Sequence, residues 1–364
     1  MHFKLYDIVD IELVNLSKIQ VKEFNNHMGN FRSSDDQVLT PTAKLVVECY
    51  KNIEFKTDHF AFGPFIAYDE FLYVKTSSNG WMGFKFISQR EAFIHCDYNV
   101  LGIDIFYLAD IIIRNLAVFT GHAFIHASGF ELNGKAYIFP AWGGTGKTNL
   151  LLNYLSRGAK YLSDDLLIVS NKGYVLPYPR PLNLLHYNYL TQKEILAPII
   201  NSKIKALTFF HTVISKMIIV SRLKITNFLL RKVIQRIELK FHNYVHVEEI
   251  FSHDVVCNSK LSVSSVYYLQ NILHGDTSID NISALEISNR MRACHRWERN
   301  YYSDIFLAYE YAYPDQKDLI SDFLFTESQI IFDFFKTIEP IYRLRFPKGM
   351  NEQKIMDIID TKRI

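Results

Sequence analysis

The sequence has few features of a secreted or nucleic-acid-binding protein, and each missing feature excludes a class of protein. Its four cysteines in 364 residues lie far apart and form no CxxC pair. This argues against a disulfide framework and for buried core thiols in a reducing compartment. No apolar leader begins the chain, so we expect a cytoplasmic protein. The formal net charge is only +2, which gives no reason to expect nucleic-acid binding.

Long apolar runs are also lacking. A membrane-spanning helix needs about 18 or more consecutive apolar residues. The two closest segments, 101–119 and 207–230, are each interrupted by charged residues, so we predict no transmembrane segment. The chain contains no GxGxxG motif, which removes the dinucleotide-binding interpretation.

The overall composition is typical of a globular protein, and the length indicates more than one domain. Apolar residues make up 49% of the chain and charged residues 21%, as in ordinary folded proteins. The length exceeds the roughly 250–300 residues at which a single core stops growing. Residues 1–100 contain short β-like runs separated by turn residues and predict a strand-rich domain. Residues 101–364 form the second predicted domain.

The second domain alternates strands, loops and helices. Apolar residues at helical spacing predict a helix over 103–120. The dipeptide Asn133-Gly134 between two apolar runs predicts a hairpin. The further predicted elements are a loop at 141–148, a helix at 149–156 ended by Gly158, a strand into 161–162, a hairpin over 166–176, strands at 245–251 and 262–269, a helix at 327–336, a strand at 341–346 and a short helix after Asn351. This alternation predicts an α/β core mixed with hairpins.

Residues 190–240 form the one basic segment and are predicted to be a helical insertion. Residues 193–240 contain ten lysines and arginines but only two acids, Glu194 and Glu238. Two interpretations stay open: a solvated helical face or lid, and a surface that docks an acidic partner, a peptide or an anionic membrane.

The motif with the clearest chemistry is AWGGTGKT at 141–148. It matches the phosphate-binding pattern GxxxxGK[ST] except that Ala141 replaces the first glycine. Small residues let successive backbone N–H groups curl around a phosphate, and the following helix directs its N-terminus at the anion. The predicted nucleotide ligands are Gly143, Gly144, Thr145, Gly146, Lys147, Thr148 and Asn149. Lys147 would bridge the β- and γ-phosphates of ATP, and Thr148 would offer its hydroxyl to Mg²⁺.

Two adjacent carboxylates follow the loop. Asp164 and Asp165 come seventeen and eighteen residues after Lys147, between apolar runs, so we expect burial at a strand tip. Beside a metal, one carboxylate can bind Mg²⁺ while the other accepts the proton of an attacking hydroxyl.

Other polar residues are weaker candidates. Arg180, in a proline-rich turn, is equally well interpreted as a surface residue or as a contact for the transferring phosphate. For His295, Arg296 and Arg299, on a predicted helix, we favour ordinary surface pairing over phosphate contact. His242 and His246 have i, i+4 spacing, but the glutamate of a zinc protease motif is missing, which argues against a metal site there. Taken alone, His126, which lies in an apolar strand, is more typical of a core residue.

Together these residues resemble the HPr kinase/phosphorylase family. Its kinase core has a histidine-containing strand, a hairpin, a P-loop, a helix ending in Arg-Gly, and a paired Asp-Asp. This chain has, in the same order, His126 with Gly129, the loop ending in Lys147-Thr148, Arg157-Gly158, and Asp164-Asp165. The match covers roughly residues 123–169, with a general likeness in the C-terminal strand and helix.

The resemblance implies a P-loop kinase core of the HPr kinase/PEP carboxykinase type, with a mixed sheet, and an N-terminal α+β domain. It implies that Asp164 is the catalytic acid/base, that Asp165 and Thr148 hold Mg²⁺, and that His126 and Lys147 act in catalysis, although the roles of the two aspartates could be exchanged. The family's downstream glycine-rich signature with its metal-binding glutamate is missing, so the carrier protein HPr is not predicted as the substrate.

The chain looks instead like divergent relatives of that family found beside peptide-modification genes. The expected activity is transfer of the γ-phosphate of ATP to a hydroxyl of a protein, a peptide or a small molecule. The alternatives are a nucleotide-binding regulatory module and an ATPase without a phosphoacceptor. The family forms oligomers, which leaves self-association of this chain open.

Overall fold

A computed structural model describes the chain over residues 1–33, 43–56, 59–220, 230, 232–234, 236–238, 240–241 and 243–362. These residues form a mixed α/β fold with several sheets, which confirms the α/β class. Two compact units are present. The first comprises Met1–His126, Ile168–Val175 and Ile282–Ile341, and the second comprises Ala127–Leu167, Leu176–Asn281 and Tyr342–Ile364.

The strands are, in chain order, β1 (His2–Leu5), β2 (Val9–Val14), β3 (Arg32–Ser33), β4 (Ala43–Tyr50), β5 (Phe60–Phe62), β6 (Phe65–Tyr68), β7 (Phe71–Lys75), β8 (Trp81–Ser88), β9 (Glu91–Asp97), β10 (His122–Leu132), β11 (Lys135–Pro140), β12 (Lys160–Ser163), β13 (Leu166–Ser170), β14 (Tyr174–Leu176), β15 (Leu182–Leu184), β16 (Asn243–Val245), β17 (Leu261–Ile272), β18 (Ser278–Asn281) and β19 (Ile341–Pro347). The α-helices are α1 (Lys18–Met28), α2 (Gly102–Val118), α3 (Lys147–Ser156), α4 (His186–Thr191), α5 (Ser202–Val220), α6 (Ala284–Glu298), α7 (Asn300–Ala312), α8 (Lys317–Lys336) and α9 (Glu352–Lys362).

The first unit is built on a nine-stranded sheet of order β3-β1-β2-β4-β9-β8-β7-β6-β5. Strands β2, β4 and β9 run parallel, and the other pairs are antiparallel. Helix α2 confirms the predicted helix at 103–120 and packs on β4 and β9. Its residues Ile105, Ile112 and Leu116 are buried, because apolar residues at this spacing share one helical face. Helices α6 and α8 pack against each other in the same unit.

The second unit carries the predicted hairpin. From Ala127 onward β10 pairs antiparallel with β11, and both residues of the turn, Asn133 and Gly134, have positive φ, as Asn-Gly turns require. Strand β12 also pairs with β10, and β11 pairs in parallel with β17. Rings of Phe130 and Tyr154 stack with centroids 4.3 Å apart, so α3 is held on this sheet by aromatic packing.

Several further predictions are confirmed, and two elements were wrong. The strand at 262–269 and the C-terminal strand and helices are present, and all four cysteines are buried. Residues 192–201, predicted as helix, separate α4 from α5 and contain Pro198 in a short 3₁₀ turn. At 245–251 the strand ends at Val245, because the carboxylate of Glu249 accepts a hydrogen bond from the backbone N–H of His246 and favours a 3₁₀ turn.

The structure groups Ile282–Ile341 with the N-terminal strands, whereas the predicted domain boundary divides the chain only once, after residue 100. Within the described residues, no helix has the length and apolar character needed to cross a bilayer. Part of the candidate segment 207–230 lies outside the described residues.

Candidate active site

The loop at 141–148 connects the end of β11 to the start of α3. Gly146 is the N-cap of α3 with φ +98°, and Gly144 has φ +75°, values that only glycine adopts without strain. A Cβ atom built on Gly143, Gly144 or Gly146 would meet no atom within 4 Å beyond its own chain neighbours. The loop therefore combines left-handed backbone at two glycines with open space around all three, features that are typical of phosphate-binding loops.

Lys147, the first residue of α3, is buried. Its Nζ donates to the backbone carbonyl oxygens of Ala141 and Trp142, at 3.3 Å in each case. The ammonium group is therefore held over its own loop. Its positive charge acts to lower the pKa of Asp164. The two side chains therefore interact electrostatically.

Asp164 contacts the N-terminus of α3 through the side chain of Thr148. The hydroxyl of Thr148 donates to Oδ2 of Asp164 at 2.9 Å. The other carboxylate oxygen, Oδ1, is buried and has no hydrogen-bond partner among the described residues. Burial, followed by the negative charge of Asp165, raises the pKa of Asp164 to about 7, although Lys147 and Thr148 act in the opposite direction. The predicted burial of Asp164 at a strand tip is confirmed, since Asp164 directly follows β12.

The turn after β12 holds the two aspartates in place. Asp165 has φ +72°, and its carbonyl oxygen accepts a hydrogen bond from the backbone N–H of Ala127. Ser163 donates to the carbonyl oxygen of Tyr178 at 2.9 Å. The segment that contains Arg180 is tied to the same strand, because the Tyr161 hydroxyl donates to the carbonyl oxygen of Arg180 at 2.8 Å. Arg180 itself lies over the ring of Tyr178.

Tyr187 is a neighbour of this site that sequence reasoning missed. Burial raises the pKa of its hydroxyl, and the charges of Asp164 and Asp165 raise it further. No motif contains Tyr187, and it stands more than twenty residues after the aspartates in the chain. The sequence therefore carried no signal for its position.

Asn149 has a structural role that its place in the motif does not suggest. Its side chain donates to Thr191 at 3.0 Å and to Glu352 at 2.7 Å, and it accepts from Asn188 at 2.7 Å. These bonds join α3 to α4 and α9. The prediction that Asn149 binds phosphate then rests on its backbone N–H near the helix N-terminus.

His126 belongs to the first unit, whereas Lys147 and Asp164 belong to the second. Nδ1 of His126 pairs with the carboxylate of Glu298, and the backbone N–H of His126 donates to Nε2 of His295 at 3.3 Å. Burial alone would raise the pKa of Glu298, but the hydrogen bond and charge of His126 lower it to about 2. The catalytic role of His126 stays a prediction.

The expectation of surface pairing near residue 295 was wrong for two residues. His295 is 4% and Arg299 8% exposed. Arg299 forms a bidentate pair with the buried Glu327, with N···O distances of 2.8 and 2.6 Å. Glu327 lies 28 residues after Arg299 in the chain, and its Oε1 is also 3.7 Å from Nδ1 of His295, so both side chains face a long-range buried partner. Arg296 is exposed, as predicted, and His242 lies outside the described residues.

Comparison with protein-family models finds none that matches this chain, and comparison with curated proteins finds no match.

Proposed function

We propose that the chain is an ATP- and Mg²⁺-dependent phosphotransferase that moves the γ-phosphate to a hydroxyl of a protein, a peptide or a small molecule. The core would be a P-loop kinase core of the HPr kinase type. The observation that carries the proposal is the hydrogen bond from Thr148 to Asp164 at the N-terminus of α3. It joins the last residue of the phosphate-binding motif to a buried carboxylate, the pair of groups that phosphoryl transfer requires.

The donor set suits magnesium. Mg²⁺ prefers hard oxygen ligands and is usually held by one or two protein groups together with substrate phosphates. The Thr148 hydroxyl and the Asp165 carboxylate are oxygen donors on either side of Asp164, whose Oδ1 has no hydrogen-bond partner among the described residues and is left for the acceptor proton. When bound with ATP, Mg²⁺ supplies charge neutralisation on the phosphates. The buried Lys147 would add a second positive charge to the same anion.

The protein residues then divide the chemistry. Asp164, with a pKa of about 7, accepts the proton of the acceptor hydroxyl, since a general base works best when its pKa is near the operating pH. The acceptor oxygen forms a bond to the γ-phosphorus as the bond from that phosphorus to the ADP oxygen breaks. The loop N–H groups and Lys147 stabilise the charge that moves onto ADP. Asp165 and Thr148 hold the metal, and His126 is assigned a supporting role by resemblance.

A labelling experiment tests the proposal. Wild type, Asp164→Asn and the exposed control Asp276→Asn are each incubated with γ-labelled ATP, Mg²⁺ and a lysate of the source cells. We expect one labelled protein, peptide or metabolite with wild type and the control, and none with Asp164→Asn. ATP binding by all three proteins without any labelled product would favour the regulatory module. Release of labelled phosphate alone would favour the ATPase.

A further inference from the structure

Three side chains from separate helical segments meet at the basic insertion, one from directly before it and two from within it. They are His186, the first residue of α4, His211 in α5, and Glu238 among the helical residues 236–238. Nε2 of His186 lies 3.4 Å from Oε1 of Glu238, and Nε2 of His211 lies 3.2 Å from the same oxygen. All three ligand atoms lie within 4.8 Å of one another.

These atoms have the chemistry of a zinc site, and two of their three separations match one. Imidazole nitrogen and carboxylate oxygen bind Zn²⁺ at about 2.0–2.2 Å, and two histidines with one glutamate form a known class of site. Ligand atoms about 2.0–2.1 Å from a shared tetrahedral ion lie about 3.3–3.4 Å from each other. Both nitrogen-to-oxygen distances, 3.4 and 3.2 Å, are close to this value.

We propose that His186, His211 and Glu238 bind one Zn²⁺ ion that joins the start of α4 to two helical segments of the insertion. A water molecule would complete the tetrahedron. The side chains of His186 and Glu238 keep 26% and 31% of their surface exposed, so solvent reaches the site. This site is separate in chemistry from the Thr148 and Asp164 site, which offers only oxygen ligands.

The surroundings of the site support this assignment. Phe241 is buried, and its ring centroid lies 6.4 Å from both imidazole rings. An apolar wall of this kind limits solvent access on one side of a metal site. The charge pattern agrees as well, because residues 193–240 contain only two acids and one of them, Glu238, lies between the two histidines.

Zinc binding would stabilise the insertion directly. A metal site assembled from distant segments does not exist in the unfolded chain, so the binding free energy adds to folding stability. The inference concerns α4 and the insertion, and it does not depend on the phosphotransferase proposal.

The test uses the full-length chain, stripped of metal with a chelator and titrated with ZnCl₂ by calorimetry in the absence of nucleotide. We expect one high-affinity site in wild type, Tm raised by zinc, and tetrahedral d–d bands on substitution with Co²⁺. His186→Ala, Glu238→Gln and His211→Gln should each weaken zinc binding at least about 10-fold. Glutamine at 211 keeps an N–H donor for Glu238 but is a poor zinc ligand, so this variant separates metal ligation from hydrogen bonding.

Two controls make the result specific. His274→Ala removes an exposed histidine and should bind zinc as wild type does. Cys294→Ser alters a second cluster with suitable ligands among the described residues, formed by His126, Cys294 and Glu298, and should also leave zinc binding unchanged. The proposal is overturned if wild type binds no zinc, if the folded His211→Gln variant binds it normally, or if Cys294→Ser abolishes binding.

Discussion

The Thr148 hydroxyl donates a hydrogen bond to Oδ2 of Asp164 at 2.9 Å, across a sequence separation of 16 residues. The first residue belongs to the start of α3, and the second directly follows β12. The bond brings the motif that would bind phosphate to the carboxylate that would accept a proton. Neither residue alone would identify a transfer site.

Replacing Lys147 tests the phosphate-binding role. Lys147→Met keeps most of the buried side chain but removes the charge, so the chain should stay folded while transfer falls at least about 100-fold, because a donor to the transition state is lost. Labelled-ATP transfer and circular dichroism measure the two effects. The exposed Lys172→Met should be fully active, and a folded Lys147→Met protein with normal transfer would contradict the proposed role.

Asp164→Asn should stabilise the protein at high pH while it abolishes transfer. The folded-state pKa of about 7 lies above the ordinary value of 3.8, so stability contributed by the protonated form is present below pH 3.8 and is lost as pH rises to about 7. At 1.36 kcal/mol per pH unit the full difference is at most about 4 kcal/mol. Urea unfolding of both proteins from pH 4 to 8 measures it.

The gap in unfolding free energy between Asp164→Asn and wild type should widen across that interval and then stay constant. Asp165→Asn serves as the comparison, because removing its charge should lower the pKa of Asp164 and give a smaller stabilisation. A gap that does not change with pH would mean that Asp164 titrates normally.

Gly146→Ala should destabilise the protein even without nucleotide. Its φ of +98° at the N-cap of α3 costs an L-amino acid about 1–2 kcal/mol. Gly143 is the matched control, since it lies in the same loop with equal open space but without positive φ. Denaturant unfolding should show the loss for Gly146→Ala only; equal losses for the two variants would argue against the left-handed conformation.

Glu327→Gln should be strongly destabilising, by about 3–5 kcal/mol, because it leaves the buried Arg299 guanidinium without its carboxylate. The pKa of Glu327 is held well below its ordinary value by the charge of Arg299, against the effect of burial. Thermal unfolding measures the loss. Asp322→Asn removes an exposed acid from the same helix and should change stability by less than about 0.5 kcal/mol.

Much of the local structure could be predicted from the sequence. The Asn133-Gly134 hairpin, the helix at 103–120 and the helix after the glycine-rich loop follow from turn chemistry and apolar spacing, which act over a few residues. The prediction of a strand over 245–251 was wrong beyond Val245. The cause is also local, because the Glu249 side chain accepts a hydrogen bond from the backbone N–H of His246. The helical prediction for residues 190–240 was wrong at 192–201, because apolar content alone does not show where a proline-containing turn interrupts a helix.

The sequence by itself determined the phosphate-binding motif, the positions that need glycine, and the adjacent pair of aspartates. Only the tertiary structure decided that Thr148 meets Asp164, that Asn149 joins three helices, that Arg299 is buried against Glu327, and that His186, His211 and Glu238 converge. The physical reason is that turn geometry and helical spacing are local properties of the chain. Burial, long-range hydrogen bonds and the pKa shifts that they cause depend on residues brought together from distant positions.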